Sequence, residues 1–263
     1  MLHSEPDSSK DLVTTLLRGL RLLDCFAPDR PEMTLPELVR ASGYSKTSTY
    51  RFLVTLVEAG WLERTSTAAF RLTLKAFQVG SIAVDSLDVR REALPIMGAL
   101  AAETGDSVYL VVPDADRAVC LERVDGGNGP RLAILNVGGT QQLHLGAGPR
   151  ALLAFREDEL LPILVSAGME QPTGASLTDP AALAADLKEI RVRGYAVSRS
   201  DVTAGVGAVG GPVFDASGRV VAALSVGGLL ERMSVEREPL LAAQVLDACG
   251  ALSARLGYAA DAS

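Results

Sequence analysis

Residues 34–60 read TLPELVRASGYSKTSTYRFLVTLVEAG, which the spacing predicts to be two short helices joined by a tight turn. On the first, Leu35, Leu38 and Val39 share a face. Thr34 stands at its N-cap, and Pro36 and Glu37 occupy a first turn that tolerates a missing N–H and favours a negative charge. Gly43 ends it. The second helix runs over 45–59 and stops at Gly60, which takes the left-handed C′ conformation without a Cβ clash. Thr49, Phe52, Leu53 and Leu56 gather on one side of it, with Thr47, Ser48, Arg51 and Thr55 opposite and Lys46 and Tyr50 on a flank. One face packs, and the other offers hydroxyls and cations.

Such groups donate to phosphate oxygens and to base-edge acceptors in a major groove wide enough to admit a helix. An ordinary helical hairpin with a solvated face has the same pattern, because hydroxyl-rich helix starts also arise as caps. The next residues favour DNA. Residues 61–63 continue as an extended run, 65–69 form a small-residue turn and 70–74 alternate again, so a two-stranded wing follows the second helix. The expected DNA contacts are Ser45, Lys46, Thr47, Ser48, Tyr50 and Arg51, joined by Arg64 and Arg71 beside the wing's turn.

These residues carry a resemblance. Residues 12–80 resemble the winged helix-turn-helix domain of the IclR family of bacterial transcription regulators, above all at SKTSTYRFLVTLVEAGWLER and RLTLKAFQVG. The resemblance continues through ETGDSVYLVV, LHLGAGPRALLAF, KEIRVRGYAVS and GPVFDASGRVVAALSVGG, in the family's order and spacing. It implies a homodimer or dimer of dimers that binds double-stranded operator DNA and a small carboxylic acid, with a GAF-like second domain.

A chain of 263 residues is long enough for two medium domains, each with a core that needs no disulfide. Cys25, Cys120 and Cys249 lie far apart without metal-ligand spacing, as suits a reducing cytoplasm. No membrane span or signal peptide is indicated, and neither a cofactor nor a metal is expected. The net charge of −7 is uneven: residues 1–75 hold ten Lys and Arg against nine Asp and Glu, while the remainder holds fifteen against twenty-three. DNA affinity must therefore rest on a few placed groups rather than a basic surface.

The expected organisation is a polar, disordered tail over 1–10, a DNA-binding domain over 11–74, a linker helix over 75–88 and an effector domain over 89–258. Leu12, Leu16, Leu20 and Leu23 form a stripe expected to pack on the helix pair. The linker helix, apolar on more than one side, wants partners on two faces; the resemblance implies a symmetry mate, and joining the C-terminal core would serve equally. Beyond it the pattern is α+β with an antiparallel sheet. Strands are expected over 108–112, 118–123, 131–136, 195–198, 206–213 and 220–226, and helices over 89–103, 149–155, 157–166, 179–193 and 236–256.

GVGAVG at 205–210 has dinucleotide-loop spacing, but Pro212 and a strand-turn-strand pattern follow where a helix is required, so its glycines are read as close-approach positions beside a cavity. His144, Ser225 and Asp201 have the residue types of a hydrolytic triad but no nucleophile elbow, and His144 is more simply structural. A GAF-like enzyme using His144 and Ser225, or a protein-binding adaptor, are the rival functions.

Gly146, Ala147 and Gly148 bring amides and a helix N-terminus to one place, which suits a carboxylate, although a tight packing turn looks the same. The resemblance places this segment in an effector pocket with Tyr109, Val111, Ser198, Ala208, Ser225 and Gly227. Leu143, Leu145 and Ile134 complete its expected walls, and His144 is counted with them. Where family members that bind small hydrophilic acids have Asp, Cys and a second Ser, this chain has Ser198, Ala208 and Gly227. A roomier, less polar pocket follows, suited to an aromatic or similarly bulky acid.

Overall fold

The computed structural model describes residues 12–27, 29–85, 88–127 and 135–259. The expectations for the tail at 1–10, for Ile134 and for most of a strand at 131–136 fall outside those residues. The chain divides into two compact units, one ending at Val84 and the other beginning at Asp85.

In the first unit, α1 (Thr14–Leu20) and β1 (Glu32–Met33) precede the helix pair α2 (Leu35–Ser42) and α3 (Lys46–Glu58). The Glu37 carboxylate accepts from the Thr34 N–H at 2.7 Å and from the Thr34 hydroxyl at 2.6 Å, which ties the chain at the start of α2 and holds the Glu37 pKa below the usual carboxylate value. Gly43 closes α2 at φ 69°, in the left-handed region. Ser45 caps α3, its hydroxyl oxygen accepting from the Ser48 N–H at 3.2 Å. The wing strands β2 (Leu62–Arg64) and β3 (Phe70–Leu72) pair antiparallel, and β1 adds an unexpected third strand against β3. Leu22, Leu38, Leu53, Leu56, Leu62 and Phe70 form the core.

The N-terminal stripe does not pack as expected. Leu12, Leu16 and Leu20 are 58%, 60% and 45% exposed. The other side of α1 faces inward: a β-carbon at Gly19 would lie 3.9 Å from the Phe52 ring, and Leu22 just beyond the helix is fully buried. Small size at Gly19, not leucine periodicity, decides which face docks. α4 (Leu74–Asp85) also presents Phe77, Val79 and Ile82 to solvent.

The second unit opens with α5 (Asp88–Thr104), followed by β4 (Ser107–Asp114), β5 (Arg117–Val124) and β6 (Thr140–Gln142). Then come α6 (Ala147–Phe155), α7 (Glu157–Ala167), α8 (Pro180–Arg193), β7 (Ala196–Arg199), β8 (Val206–Phe214), β9 (Val220–Leu229) and α9 (Glu238–Arg255). The six strands form one antiparallel sheet ordered β6-β5-β4-β9-β8-β7. β6 was not expected; it pairs with β5 through Arg117 opposite Gln142. Alternation splits the sheet between two layers. Val108, Leu110, Val209 and Leu224 pack with Met97 of α5 and Leu241 and Val245 of α9, whereas Tyr109, Val111 and Ala223 face α6, Leu164 of α7 and Leu183 of α8.

The GVGAVG segment lies in and just before β8, so no phosphate loop forms. A β-carbon at Gly210 would sit 2.8 Å from the Gly148 backbone nitrogen, so the first turn of α6 rests directly on β8. Gly210→Ala is therefore expected to lower unfolding free energy by about 1–3 kcal/mol, as other forced overpacking does. Gly227→Ala, whose new carbon would meet only Tyr109 and Ala208 at 3.4 and 3.5 Å, is expected to cost less than about 1 kcal/mol. Urea titration of both variants checks the contrast.

Candidate functional site

On α3, Lys46, Thr47, Tyr50 and Arg51 are exposed and Ser48 is half-buried, while Thr49, Leu53 and Leu56 turn into the core. Ser45 donates to the Ser48 hydroxyl at 3.0 Å, so these two serines hold the helix start together. Lys46, Arg51 and Arg64 have no ion-pair partner among the described residues. Arg71 differs. Its guanidinium donates to Glu63 at 2.6 Å and to Glu32 at 3.4 Å, and these carboxylates, Glu63 first, raise its pKa. The sequence reading expected Arg71 to reach DNA phosphates; the third strand, which brings Glu32 opposite it, also makes it a pin across the wing.

In the second unit, strand register explains a cavity. Ser198 of β7, Ala208 of β8, Gly227 of β9 and Ser107 of β4 are cross-strand neighbours in one row. The adjacent row is Ala196, Gly210, Ser225 and Tyr109. The N-terminus of α6 lies over this second row: a β-carbon at Gly148 would be 3.2 Å from the Ser225 hydroxyl and 3.1 Å from Val111. Over the first row, where side chains are small, the sheet is left uncovered. The resulting cavity measures about 470 Å³ when its opening to solvent is included.

Tyr109, Val111, Gly146, Ala147, Gly148, Ser198, Ala208, Ser225 and Gly227, all expected from the sequence, line it. Leu143, His144 and Leu145 do not. The chain reverses after β6, with the Leu145 N–H donating to the Gln142 carbonyl at 3.0 Å, and this turn buries Leu143 in the core shared with α6 and α8. His144 is fully buried, its Nε2 at 2.8 Å from the Glu170 carbonyl oxygen; desolvation lowers its pKa, so the ring stays neutral with Nε2 as donor. The sequence reading missed Leu135, Gln141, Pro149, Val202 and Val206, while Gly207, read as a close-approach position beside a cavity, lines this one. Val206 follows from Ala208 by strand alternation, but nothing marked the polar three-residue β6 that carries Gln141.

The turn before α6 is anchored from behind. Asp201 accepts the Gly146 N–H at 2.9 Å and the Ser198 hydroxyl, and Arg150 approaches it at 3.4 Å. Arg150 also donates to Asp186 at 2.7 Å and to the carbonyls of Gly146 and Val197. Thus the Gly146 amide and the Ser198 hydroxyl are already engaged. The first-turn amides of Ala147 and Gly148 have no partner within the helix, as at any helix start, and the Ser225 hydroxyl makes no hydrogen bond among the described residues. Asp201 is held by these partners and His144 by Glu170, so His144, Ser225 and Asp201 do not form a hydrogen-bonded relay.

The chain matches two family descriptions: IclR helix-turn-helix domain over residues 15–66, and Bacterial transcriptional regulator IclR C-terminal over residues 81–254. It is 31% identical to the HTH-type transcriptional regulator KipR of Bacillus subtilis, over 93% of this chain and 97% of KipR. To BhcR of Paracoccus denitrificans it is 32% identical, over 92% and 86%. A crystal structure of an IclR regulator from Silicibacter sp. superposes with TM-score 0.81 at 25% identity, covering 94% of this chain and 98% of that one. An IclR homologue from Microbacterium hydrocarbonoxydans complexed with 4-hydroxybenzoate shares the fold at TM-score 0.77 and 24% identity, covering 92% and 98%. With both of its units accounted for, the chain belongs to the IclR family of bacterial transcription regulators and pairs a DNA-binding helix-turn-helix with a C-terminal effector domain.

Proposed function

We propose that this regulator is a cytoplasmic repressor, not an enzyme, whose C-terminal cavity binds an aromatic or similarly bulky carboxylic acid and thereby changes operator affinity. The observation that carries this reading is the row of small side chains, Ser198, Ala208 and Gly227, beside the N-terminus of α6. The amides of Ala147 and Gly148 with the Ser225 hydroxyl receive the carboxylate at the positive end of the helix. The uncovered row, walled by Val111, Leu135, Val202 and Val206, receives the ring. The 4-hydroxybenzoate bound to the Microbacterium homologue supports an acid of this size. Calorimetric titration is expected to show benzoate binding and no binding of glyoxylate or pyruvate; the reverse order overturns the pocket argument. Ligand and operator must alter each other's affinity by one common factor.

On the DNA side, α3 enters the major groove with Thr47, Ser48 and Tyr50 toward base edges, while Lys46, Arg51 and Arg64 meet phosphates. Arg71 contributes less, because two carboxylates already compensate its charge. Arg51→Ala is expected to weaken operator binding across sequences and to reduce the salt slope by about one. Arg71→Ala is expected to weaken binding less. Gel shifts over a salt series check both, and wild-type behaviour of Arg51→Ala rules out this placement of α3.

Specific binding by an acidic chain with one near-neutral module requires two modules on half-sites about one helical turn, or a multiple, apart. The exposed Leu12, Leu16 and Leu20 and the exposed Phe77 and Ile82 suit self-association as a dimer or dimer of dimers. Light scattering of Leu16→Glu with Phe77→Glu is expected to show a smaller species than wild type and at least tenfold weaker operator binding.

A further inference from the structure

Tyr109 is 4% exposed, and its ring lines the cavity. Its hydroxyl is buried and has no hydrogen-bond partner within bonding distance among the described residues. Beside it the Ser107 hydroxyl donates to Asp125 at 3.1 Å, and the Arg123 guanidinium, which stands 5.7 Å from the ring centroid, donates to the same carboxylate at 2.7 Å. A buried hydroxyl without a partner costs on the order of 1–3 kcal/mol, and a fold keeps such a group where a ligand or water completes it. Desolvation raises its pKa, so it remains a neutral phenol able both to donate and to accept.

Its placement gives a distance. Tyr109 pairs with Ser225, yet its ring leans over Gly227, whose added β-carbon would lie 3.4 Å from the ring's Cε2. Ser225 lies under the α6 N-terminus, and Gly227 is two residues further along β9, roughly 7 Å away at the usual strand rise. The Tyr109 ring and the α6 amides thus stand over different positions of β9. Between them the floor is Ala208 and Gly227, with no polar side-chain atom.

We propose that Tyr109 is a specificity-determining residue: its hydroxyl hydrogen-bonds a polar substituent that the effector carries across the ring from its carboxylate. This rests on the reading of the cavity as an aromatic-acid site and narrows that class to acids with two polar ends. Unsubstituted rings leave the phenol unpartnered. A hydroxyl next to the carboxylate sits at the α6 end, out of reach.

The experiment is calorimetric titration of the full chain, wild type and Tyr109→Phe, with benzoate, 2-hydroxybenzoate and 4-hydroxybenzoate. Wild type is expected to bind 4-hydroxybenzoate about tenfold more tightly than benzoate, the factor associated with one well-made neutral hydrogen bond, with 2-hydroxybenzoate following benzoate. In Tyr109→Phe the ratio is expected to fall to about one. Its thermal midpoint without ligand is expected to be no lower than wild type, since the change removes an unsatisfied group, whereas a merely structural hydroxyl would lower it. Equal wild-type affinities for all three acids, or a preference that survives in Tyr109→Phe, overturn the role of Tyr109 alone. Absence of binding by any of them overturns the aromatic-acid reading and this inference together.

Discussion

The C-terminal unit depends on a contact that only glycine permits, where β8 at Gly210 touches the backbone of Gly148 at the start of α6. Helix packing on a sheet ordinarily keeps the backbones apart by the depth of their side chains, about 10 Å between layers. Here that spacer is absent on both sides. One end of α6 is pulled down onto Ser225 and Val111 while the neighbouring row of the sheet remains open. Close approach and cavity are therefore two results of one local constraint. The same approach aims the amide end of the helix along the sheet surface, where a charged group beside the opening would meet it.

The N-terminal unit is governed by capping and by the division of its charges between paired and free. Thr34 with Glu37 fixes the entry to α2, Gly43 the exit, and Ser45 the entry to α3, so the angle between the helices is set by three local devices rather than by a large core. Within a nearly neutral unit, the distinction between Arg51, which has no carboxylate partner among the described residues, and Arg71, bound to two, matters more than the total charge. Pairing lowers the counterion release a cation brings to DNA, because part of its field is already compensated. It also ties β1, β2 and β3 together where each strand is only two or three residues long.

Much of this was legible in the sequence because it was local. The cap at Thr34, the turn at Gly43, the stop at Gly60 and the alternation of β4 each follow from residues within one element's length. What failed to show depended on distant partners. The leucine stripe of α1 is periodic, yet the inward face was chosen by the fit of Gly19 against Phe52. Glu32 could not be linked to Arg71, 39 positions away, without knowing that β1 joins the wing. The start of α6 was placed at Pro149, but a proline in the first turn lacks an N–H that needs no partner there, and the helix begins at Ala147. In the site, Ser198, Ala208 and Gly227 were placed by the family resemblance, and the register of β7, β8 and β9 makes them neighbours. Leu143 and Leu145 were misplaced because a turn, not a strand, carries them.

The departure at Ser198 takes on a different meaning once Asp201 is in view. Where the family resemblance leads to Asp on the cavity wall, this chain has a hydroxyl, and a carboxylate stands three residues later, past the end of β7. The negative charge is displaced rather than lost. From behind the wall Asp201 holds the Gly146 amide and the Ser198 hydroxyl, with the Arg150 guanidinium beside it to compensate its charge. Two carboxylates on one face of a small cavity would repel across a few ångströms of low dielectric, a cost of several kcal/mol. With Asp201 neutralised behind the turn, the face seen by a ligand carries dipoles and no charged side chain: the α6 amides, the Ser225 and Tyr109 hydroxyls and the Gln141 amide. Such a face suits the proposed effector, an anion with an apolar ring and a second polar end beside Tyr109, and it draws little on the water-like hydration that a small hydrophilic acid gives up on entering.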